Sequence, residues 1–144
     1  MTKTIPHRIL AIDPGITIGW ALFLDGEATE MDEIQLGEFT YWLEDSITPD
    51  LIVVEDYKLF KHLALQQSGS HLETVRCIGI IESYTTRYRV PLIKQPSGIL
   101  PIAERWTDTR RPLNHAKGHN KICAYLHGEY YMIKNHYKEV DFNV

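Results

Sequence analysis

The sequence predicts a single α/β domain over residues 1–144, with a mixed five-stranded sheet of three antiparallel strands and then two parallel strands, flanked by helices. Two runs of four apolar residues, 9–12 and 51–54, are typical of central strands that are covered on both faces. Each run ends directly in a carboxylate, Asp13 or Glu55. Segments of alternating polarity and segments of helical periodicity supply the other strands and the helices.

The first three predicted strands form an antiparallel meander. The sequence Asp-Pro-Gly at 13–15 is good turn chemistry and ends the first strand, and residues 17–23 alternate as a second strand would. An Asp-Gly pair at 25–26 then marks a tight turn into a third strand over about 28–36. On turn chemistry alone, Asp13 is a turn-forming residue, so its position does not by itself predict a site.

The fourth strand follows a helix and returns the chain to the first strand. Residues 37–46 carry apolar side chains at helical spacing with acidic residues outside, which predicts a short amphipathic helix. A right-handed crossover would lay the strand that begins at Leu51 beside the first strand and parallel to it. Glu55 would then lie at the same edge of the sheet as Asp13.

The second half of the chain alternates helix and strand. After a mixed segment at 58–70, a capping box of Ser70 and Glu73 begins a helix that runs to Tyr88. A short strand over 90–95 follows. The chain continues through a turn and short helix over 96–106 and a loop over 107–112.

The final helix is predicted from residue 113 or 114 to about 134, with a buried stripe of Ile122, Tyr125, Leu126, Tyr130 and Ile133. Its first turn would present His115 and His119, at i and i+4, on the side that faces the sheet. That spacing can bind one metal ion. A pair of imidazoles that are hydrogen-bonded or face a phosphate fits the same spacing equally well.

Two buried strands that each end in an acid at one edge form a more specific pattern than either strand alone. Carboxylates brought that close repel each other unless a cation lies between them. Asp13 and Glu55 are therefore candidate ligands of a divalent metal.

Charge is distributed unevenly along the chain, although the net charge of −4 argues weakly against a nucleic-acid partner. Residues 1–57 carry two Lys or Arg and twelve Asp or Glu, whereas residues 58–144 carry thirteen Lys or Arg and seven Asp or Glu. Phosphate contacts respond to the local field, so the basic half could form a binding face for nucleic acid. An ordinary solvated surface with a chance bias is the alternative.

The remaining composition predicts a cytoplasmic protein without a membrane partner. Cys77 and Cys123 sit in apolar helical patterns at unrelated spacing, which favours reduced buried thiols over a disulfide or a zinc site. No apolar run has the length that a bilayer requires, and the N-terminus lacks a signal-peptide core.

The order of elements, βββαβαβα, and two motifs resemble the RuvC-type Holliday junction resolvases of the RNase H-like nuclease superfamily, particularly their compact bacteriophage-like branch. The motifs are Leu-Ala-Ile-Asp-Pro-Gly-Ile-Thr-Ile-Gly-Trp at 10–20 and Ile-Val-Val-Glu-Asp-Tyr at 52–57. The resemblance implies an RNase H-like fold, a homodimer, and cleavage of branched DNA such as four-way junctions with Mg²⁺ or Mn²⁺, up to two ions per site.

By this resemblance, Asp13 and Glu55 would be the first two carboxylate ligands. The family expects two further acids, or a His and an acid, three residues apart where the final helix begins. Residues 114–120 instead read Asn-His-Ala-Lys-Gly-His-Asn. With His115 in the first place, Gly118 takes the second. A shifted match makes His119 or Asn120 the substitute, so His115, His119 and Asn120 are candidate catalytic residues and the last two are candidate metal ligands.

The predicted function is metal-dependent, structure-selective cleavage of branched DNA in recombination, repair or replication. Five cations are candidate DNA contacts: Lys58, Arg110, Arg111, Lys117 and Lys121. Two alternatives remain open. One is a junction-binding protein that cleaves weakly or not at all, and the other is an RNase H-like nuclease that acts on a different nucleic acid, such as an RNA/DNA hybrid. By the same resemblance, helix residues 73–82 are the candidate dimer interface, and the cytoplasm is that of a bacterial or phage-infected host cell.

Overall fold

The structure is a computed structural model that describes residues 4–56, 70–114 and 116–140. The elements in chain order are β1 (Arg8–Asp13), β2 (Thr17–Leu24), β3 (Glu27–Gln35), α1 (Leu36–Asp45), β4 (Leu51–Glu55), α2 (Ser70–Tyr88), β5 (Leu92–Gln95), a 3-10 turn (Ser97–Ile99), α3 (Leu100–Thr107) and α4 (His119–Lys134).

The strands form one five-stranded sheet in the order β3-β2-β1-β4-β5. The pairs β1–β2 and β2–β3 are antiparallel, whereas β4 lies parallel to β1 and β5 lies parallel to β4. The predicted mixed sheet is therefore confirmed. The crossover through α1 places β4 beside β1, which brings the carboxyl ends of these two strands to one edge of the sheet.

Helices cover both faces of the sheet, which explains the uninterrupted apolar run of β1. Leu10 and Ile12 belong to the core cluster that includes α1 and α2 residues, whereas Ile9 and Ala11 belong to the cluster with α4 residues. All four side chains are completely buried. Because successive side chains of a strand alternate between faces, a strand buried on both sides reads as continuous apolar sequence.

The final helix lies unusually close to the sheet at two glycines. A Cβ on Gly19 of β2 would lie 2.0 Å from the backbone oxygen of Asn120, and a Cβ on Gly128 would lie 2.2 Å from Cε2 of Phe23. The predicted buried stripe of α4 is therefore wrong in part. Ile122, Tyr125, Tyr130 and Ile133 are half-buried, and the buried residues are Cys123, Ala124, Leu126, His127, Gly128, Glu129 and Met132. Leu126 and Met132 fill the core, but the close approach to Phe23 leaves no space for a side chain at position 128.

The predicted start of the final helix is also wrong. The helix begins at His119, after Gly118, whose φ of 87° lies in the left-handed region. Residues 114 and 116–118 form turns and a bend. Only Gly adopts such a φ without strain, so Gly118 sets a sharp entry into α4.

Both cysteines are free thiols in separate core clusters: Cys77 belongs to α2, and Cys123 belongs to α4 in the cluster that α4 shares with α3. Across the described helices, none combines the length and the apolar character needed to span a bilayer.

Candidate functional site

One row of residues crosses the sheet at the edge where β1 and β4 end. The register pairs Asp13 with Gly19, Gly19 with Glu33, and Glu55 with Gln95. Asp13 and Glu55 each follow directly after the paired residues Ile12 and Val54 of the parallel strands. The row is therefore Glu33, Gly19, Asp13, Glu55 and Gln95. By strand alternation, its side chains share the face that packs against α4.

The two carboxyl groups at the centre of the row contact each other, as the sequence predicts. Burial raises the pKa of Asp13 well above its ordinary value of 3.8, and the charge of Glu55, a side-chain hydrogen bond with Glu55 and the charge of Glu33 raise it further. Asp13 therefore retains a proton at a higher pH than an ordinary aspartate does. That proton reduces the repulsion between the carboxylates, and a cation could take its place.

An open cavity of about 820 Å³ surrounds this pair. Asp13, Glu33 and Glu55 form its acidic side, and Arg111 and Lys117 bring positive charge to its rim. The first two turns of α4 also contribute to the wall, through His119, Asn120 and Cys123. Acidic side chains therefore share this cleft with Arg111 and Lys117, which we call its cationic rim.

His119 lies at this cavity, but both of its ring nitrogens already have contacts. Nδ1 lies 2.8 Å from the backbone oxygen of Pro112, so Nδ1 carries the hydrogen and donates it. The lone pair of Nε2 faces the Cys123 thiol, with the sulfur 3.4 Å away. This tautomer is suited to metal binding through Nε2, provided that the thiol contact is given up.

Asn120 joins the start of α4 to the sheet. Its side-chain amide donates to the backbone oxygen of Thr17 over 3.2 Å. Its backbone N–H donates to Oε2 of Glu33 over 3.1 Å, and the backbone N–H of Lys121 donates to the same oxygen over 3.3 Å. These contacts give Asn120 a role in docking the helix, whereas its predicted role was as a ligand.

Glu33 was not among the predicted site residues. Because Gly118 has no side chain to cap α4, the first backbone N–H groups of the helix need another acceptor. Glu33 supplies it, and the positive end of the helix dipole stabilises its carboxylate. No local signal in the sequence pointed to Glu33, because its pairing with Gly19 follows from a register that an irregularity between Leu22 and Phe23 shifts by one residue.

His127 and Gln95 are also site residues that the sequence reasoning missed. His127 is completely buried, with Nε2 3.2 Å from Oε2 of Glu55 and Nδ1 3.1 Å from Nε2 of Gln95. The available signal was helical spacing, because His119, Cys123 and His127 repeat every four residues and so lie along one side of α4.

The resemblance predicts two ligand residues, three apart, where the final helix begins. Because α4 begins at His119, the two residues of this helix that have that spacing and line the cavity are Asn120 and Cys123. Burial, and then the charges of Asp13 and Glu55, raise the pKa of Cys123 to about 12. The side chain is therefore a neutral thiol, and neither position supplies a carboxylate.

The predicted DNA contacts differ in their surroundings. Arg111 lines the cavity and donates through Nη2 to Oε1 of Glu104 over 3.0 Å, and Lys117 lines it as an exposed side chain. Lys121 is half-buried and Arg110 is exposed; neither is part of the cavity wall. Lys58 and His115 lie outside the described residues.

The donor set fits a hard divalent cation only in part. The oxygens of Asp13 and Glu55 are the ligand type that Mg²⁺ and Mn²⁺ prefer. However, within the described ranges no three His, Cys, Asp or Glu side chains converge closely enough to hold a metal. Mg²⁺ commonly completes its coordination with water and substrate phosphate, so these would have to supply the ligands that the two carboxylates do not.

The strand order, the helices on both faces and the acidic pair at the sheet edge define an RNase H-like α/β fold. Two solved structures share this fold. The structure of Thermus thermophilus RuvC matches with a TM-score of 0.60 at 10% sequence identity, over 90% of this chain and 96% of that chain. T. thermophilus RuvC in complex with a Holliday junction substrate matches with a TM-score of 0.58 at 9% identity, with the same coverage of 90% and 96%. No family model and no curated protein matches the sequence. The predicted resemblance to RuvC-type resolvases is thus confirmed as a likeness of fold.

Proposed function

We propose that the protein is a metal-dependent endonuclease that cleaves branched DNA, with four-way junctions as its substrate. The observation that carries this proposal is the contact between Asp13 and Glu55 at the ends of neighbouring parallel strands, inside an open cavity with a cationic rim. The likeness of fold to a RuvC structure that contains a Holliday junction supports the choice of substrate.

Asp13 and Glu55 would hold Mg²⁺ or Mn²⁺, with up to two ions per site and with His119 as a further candidate ligand. A divalent ion bound there would lower the pKa of a coordinated water and offset negative charge on the scissile phosphate. The raised pKa of Asp13 means that metal binding displaces a proton, so metal affinity should increase with pH.

The cationic rim would hold the DNA backbone. Lys117 is exposed and can reach a phosphate. Arg111 is oriented by Glu104, whose carboxylate accepts hydrogen bonds from the backbone N–H and from the guanidinium of Arg111. The hydrogen bonds from the backbone N–H and the side chain of Arg111 lower the pKa of Glu104, so Glu104 stays anionic. Arg111 would therefore contact a phosphate from a fixed position, and Lys117 from an exposed one.

A cleavage assay on a synthetic four-way junction tests the proposal. We expect cleavage by the wild type in Mg²⁺ or Mn²⁺, and loss of cleavage in Asp13→Asn and Glu55→Gln with junction binding retained. Flap and RNA/DNA hybrid substrates in the same assay test the choice of substrate. Wild-type protein that binds the junction and leaves it intact in both metals would contradict the nuclease function.

A non-cleaving junction-binding protein is the second candidate function. The observation that favours it is the neutral character of Asn120 and Cys123, two residues three apart at the cavity, because the resembling family expects two acids, or a His and an acid, at this spacing where the final helix begins. Such a protein would bind the junction with the affinity and salt dependence expected of the cationic rim. Binding without cleavage, in metal titrations up to millimolar Mn²⁺, would identify it.

We further propose that the protein acts as a homodimer through α2, because a four-way junction offers two strands to cut. Leu72 and Val75, on the N-terminal half of α2, are 59% and 48% exposed. Light scattering tests this proposal. Val75→Glu should shift the wild-type dimer to a monomer, whereas Tyr41→Glu, at a 76% exposed position on α1, should leave the mass unchanged.

A further inference from the structure

A completely buried imidazole links the candidate metal site to the neighbouring strand. His127 of α4 has Nε2 3.2 Å from Oε2 of Glu55. On its other side, Nε2 of Gln95 lies 3.1 Å from Nδ1 of His127 and 3.0 Å from the backbone oxygen of the same residue. Glu55 and Gln95 are paired residues at the ends of β4 and β5, so their side chains point to the same face.

The contacts of Gln95 determine the position of the imidazole hydrogen. A backbone oxygen can only accept, so the side-chain atom of Gln95 that faces it must be the amide nitrogen. That nitrogen carries two hydrogens, and the second is directed at Nδ1 of His127. Nδ1 therefore accepts, and the ring hydrogen of a neutral imidazole lies on Nε2, where it points at the carboxylate of Glu55.

We propose that His127 is a positioning residue that donates a hydrogen bond from Nε2 to Glu55 and thereby fixes the orientation of this carboxylate. The proposal deepens the proposed function, on which it rests, because Glu55 is one of the two residues that would hold the metal. Outer partners of this kind orient metal-binding side chains, and their loss typically reduces metal affinity 10- to 100-fold.

An imidazole that merely fills the core would not need this arrangement. Gln95 is 6% exposed and His127 is completely buried, and the amide nitrogen of Gln95 and both ring nitrogens of His127 have partners. The last partner, Glu55, lies at the cavity wall. A buried network that ends on a cavity-facing carboxylate transmits the rigidity of β5 and α4 to that carboxylate.

Three substitutions at one position separate orientation from packing. In His127→Gln, the side-chain amide nitrogen can take the place of Nε2 and donate to Glu55. In His127→Asn, the shorter side chain can take the place of Nδ1 but does not reach Glu55. His127→Phe keeps the ring and removes both contacts. We expect the Mn²⁺ affinity, measured by calorimetry, to fall roughly 10- to 100-fold in the Asn and Phe variants and less in the Gln variant.

A second measurement needs neither metal nor substrate. Long-range ¹H–¹⁵N spectra of the metal-free wild type should show a protonated Nε2 and an unprotonated Nδ1 for His127, and Gln95→Met should reduce this tautomer preference. Protonation on Nδ1 in the wild type would overturn the proposal. Equal Mn²⁺ affinity in the wild type and in His127→Phe would also overturn it. So would an equal loss of Mn²⁺ affinity in the Gln and Asn variants, if that loss is proportional to the decrease in their melting temperatures.

These outcomes are distinguishable from failure of the proposed function. A wild type that shows the predicted tautomer but neither binds Mn²⁺ nor cuts a junction contradicts the nuclease function and still supports the hydrogen bond to Glu55. A wild type that cuts junctions, together with a fully active His127→Phe variant, contradicts the positioning role alone.

Discussion

Oε2 of Glu33 lies 3.1 Å from the backbone nitrogen of Asn120, a residue 87 positions further along the chain. A carboxylate on the edge strand β3 therefore caps α4, the helix that carries the walls of the candidate site. The same carboxylate contributes to the raised pKa of Asp13. Glu33 thus couples the docking of α4 to the electrostatics of the acidic pair.

Removal of this cap should destabilise the protein. In Glu33→Ala, the N–H groups of Asn120 and Lys121 lose their acceptor, and we expect a loss of about 1–2 kcal/mol in the free energy of unfolding. Glu33→Gln keeps an oxygen acceptor without the charge and should lose less. Urea denaturation measures both variants. Glu30→Gln, at an exposed position on the same strand, is the matched control, and an equal effect there would contradict the capping role.

The raised pKa of Asp13 predicts that stability depends on pH. The folded protein keeps this proton at pH values where the unfolded chain, with a pKa near 3.8, has lost it. The folded state therefore binds more protons, and the free energy of unfolding should decrease as pH rises through the interval from 3.8 to the raised pKa. The slope contributed by one such group is at most about 1.4 kcal/mol per pH unit.

Urea denaturation at a series of pH values should show a shallower pH dependence in Asp13→Asn than in the wild type. Asp32→Asn, with the same change of formal charge at an exposed position, is the control. At the upper end of the interval, added Mg²⁺ should increase the free energy of unfolding of the wild type, because the ion binds the deprotonated carboxylates of Asp13 and Glu55. Identical pH profiles for the wild type and Asp13→Asn would contradict the assignment.

The close contact at Gly19 predicts that even one methyl group disturbs the site. In Gly19→Ala, the new Cβ would lie 2.0 Å from a backbone atom of α4, so the helix must move. We expect a loss of about 1–3 kcal/mol in the free energy of unfolding, together with weaker Mn²⁺ binding. Gly37→Ala, in α1, is the matched control, because nothing lies within 4 Å of its Cβ position. That variant should be stabilised by about 0.5–1 kcal/mol, since Ala replaces Gly inside a helix.

The position of Lys117 on the cavity rim predicts a DNA contact. Lys117→Ala should weaken junction binding with little regard to base sequence and should reduce the slope of log affinity against log salt by about one. Lys134→Ala, at the far end of the 16-residue helix α4, about 24 Å along the axis from its start, should leave the slope unchanged. Fluorescence anisotropy at several salt concentrations measures both. An unchanged slope in Lys117→Ala would remove this residue from the interface.

The cavity-facing position of Cys123 predicts that a carboxylate there strengthens metal binding. In Cys123→Asp, a third acid joins Asp13 and Glu55, and we expect Mn²⁺ affinity to increase on the order of tenfold while the metal-free protein becomes less stable. Cys123→Ser is the neutral control. Asn120→Asp should instead destabilise the protein without this gain, because its side chain loses the donor to Thr17 and lies beside Glu33. Calorimetry with Mn²⁺ and thermal denaturation distinguish the two variants. An equal gain in Mn²⁺ affinity in Cys123→Asp and Asn120→Asp would contradict the positions assigned to these two side chains.

The sequence by itself determined the strand order and the meeting of Asp13 with Glu55. Both runs before these acids are local patterns, and the handedness of the crossover fixes which ends of parallel strands share an edge. These two facts are enough to predict an acidic pair. They do not depend on how any helix is rotated, and for that reason the prediction succeeded.

Only the tertiary structure decided which partners surround the pair. The roles of Glu33 and Gln95 depend on the register between strands, and the role of His127 depends on the rotation of α4 about its axis. That rotation is set by Gly19 and Gly128, where the helix and the sheet approach most closely. Hydrophobic periodicity favours large apolar residues as the buried side of a helix. This helix buries Gly128 and His127 beside Leu126 and Met132, because the close approach to the sheet limits side-chain size as well as polarity.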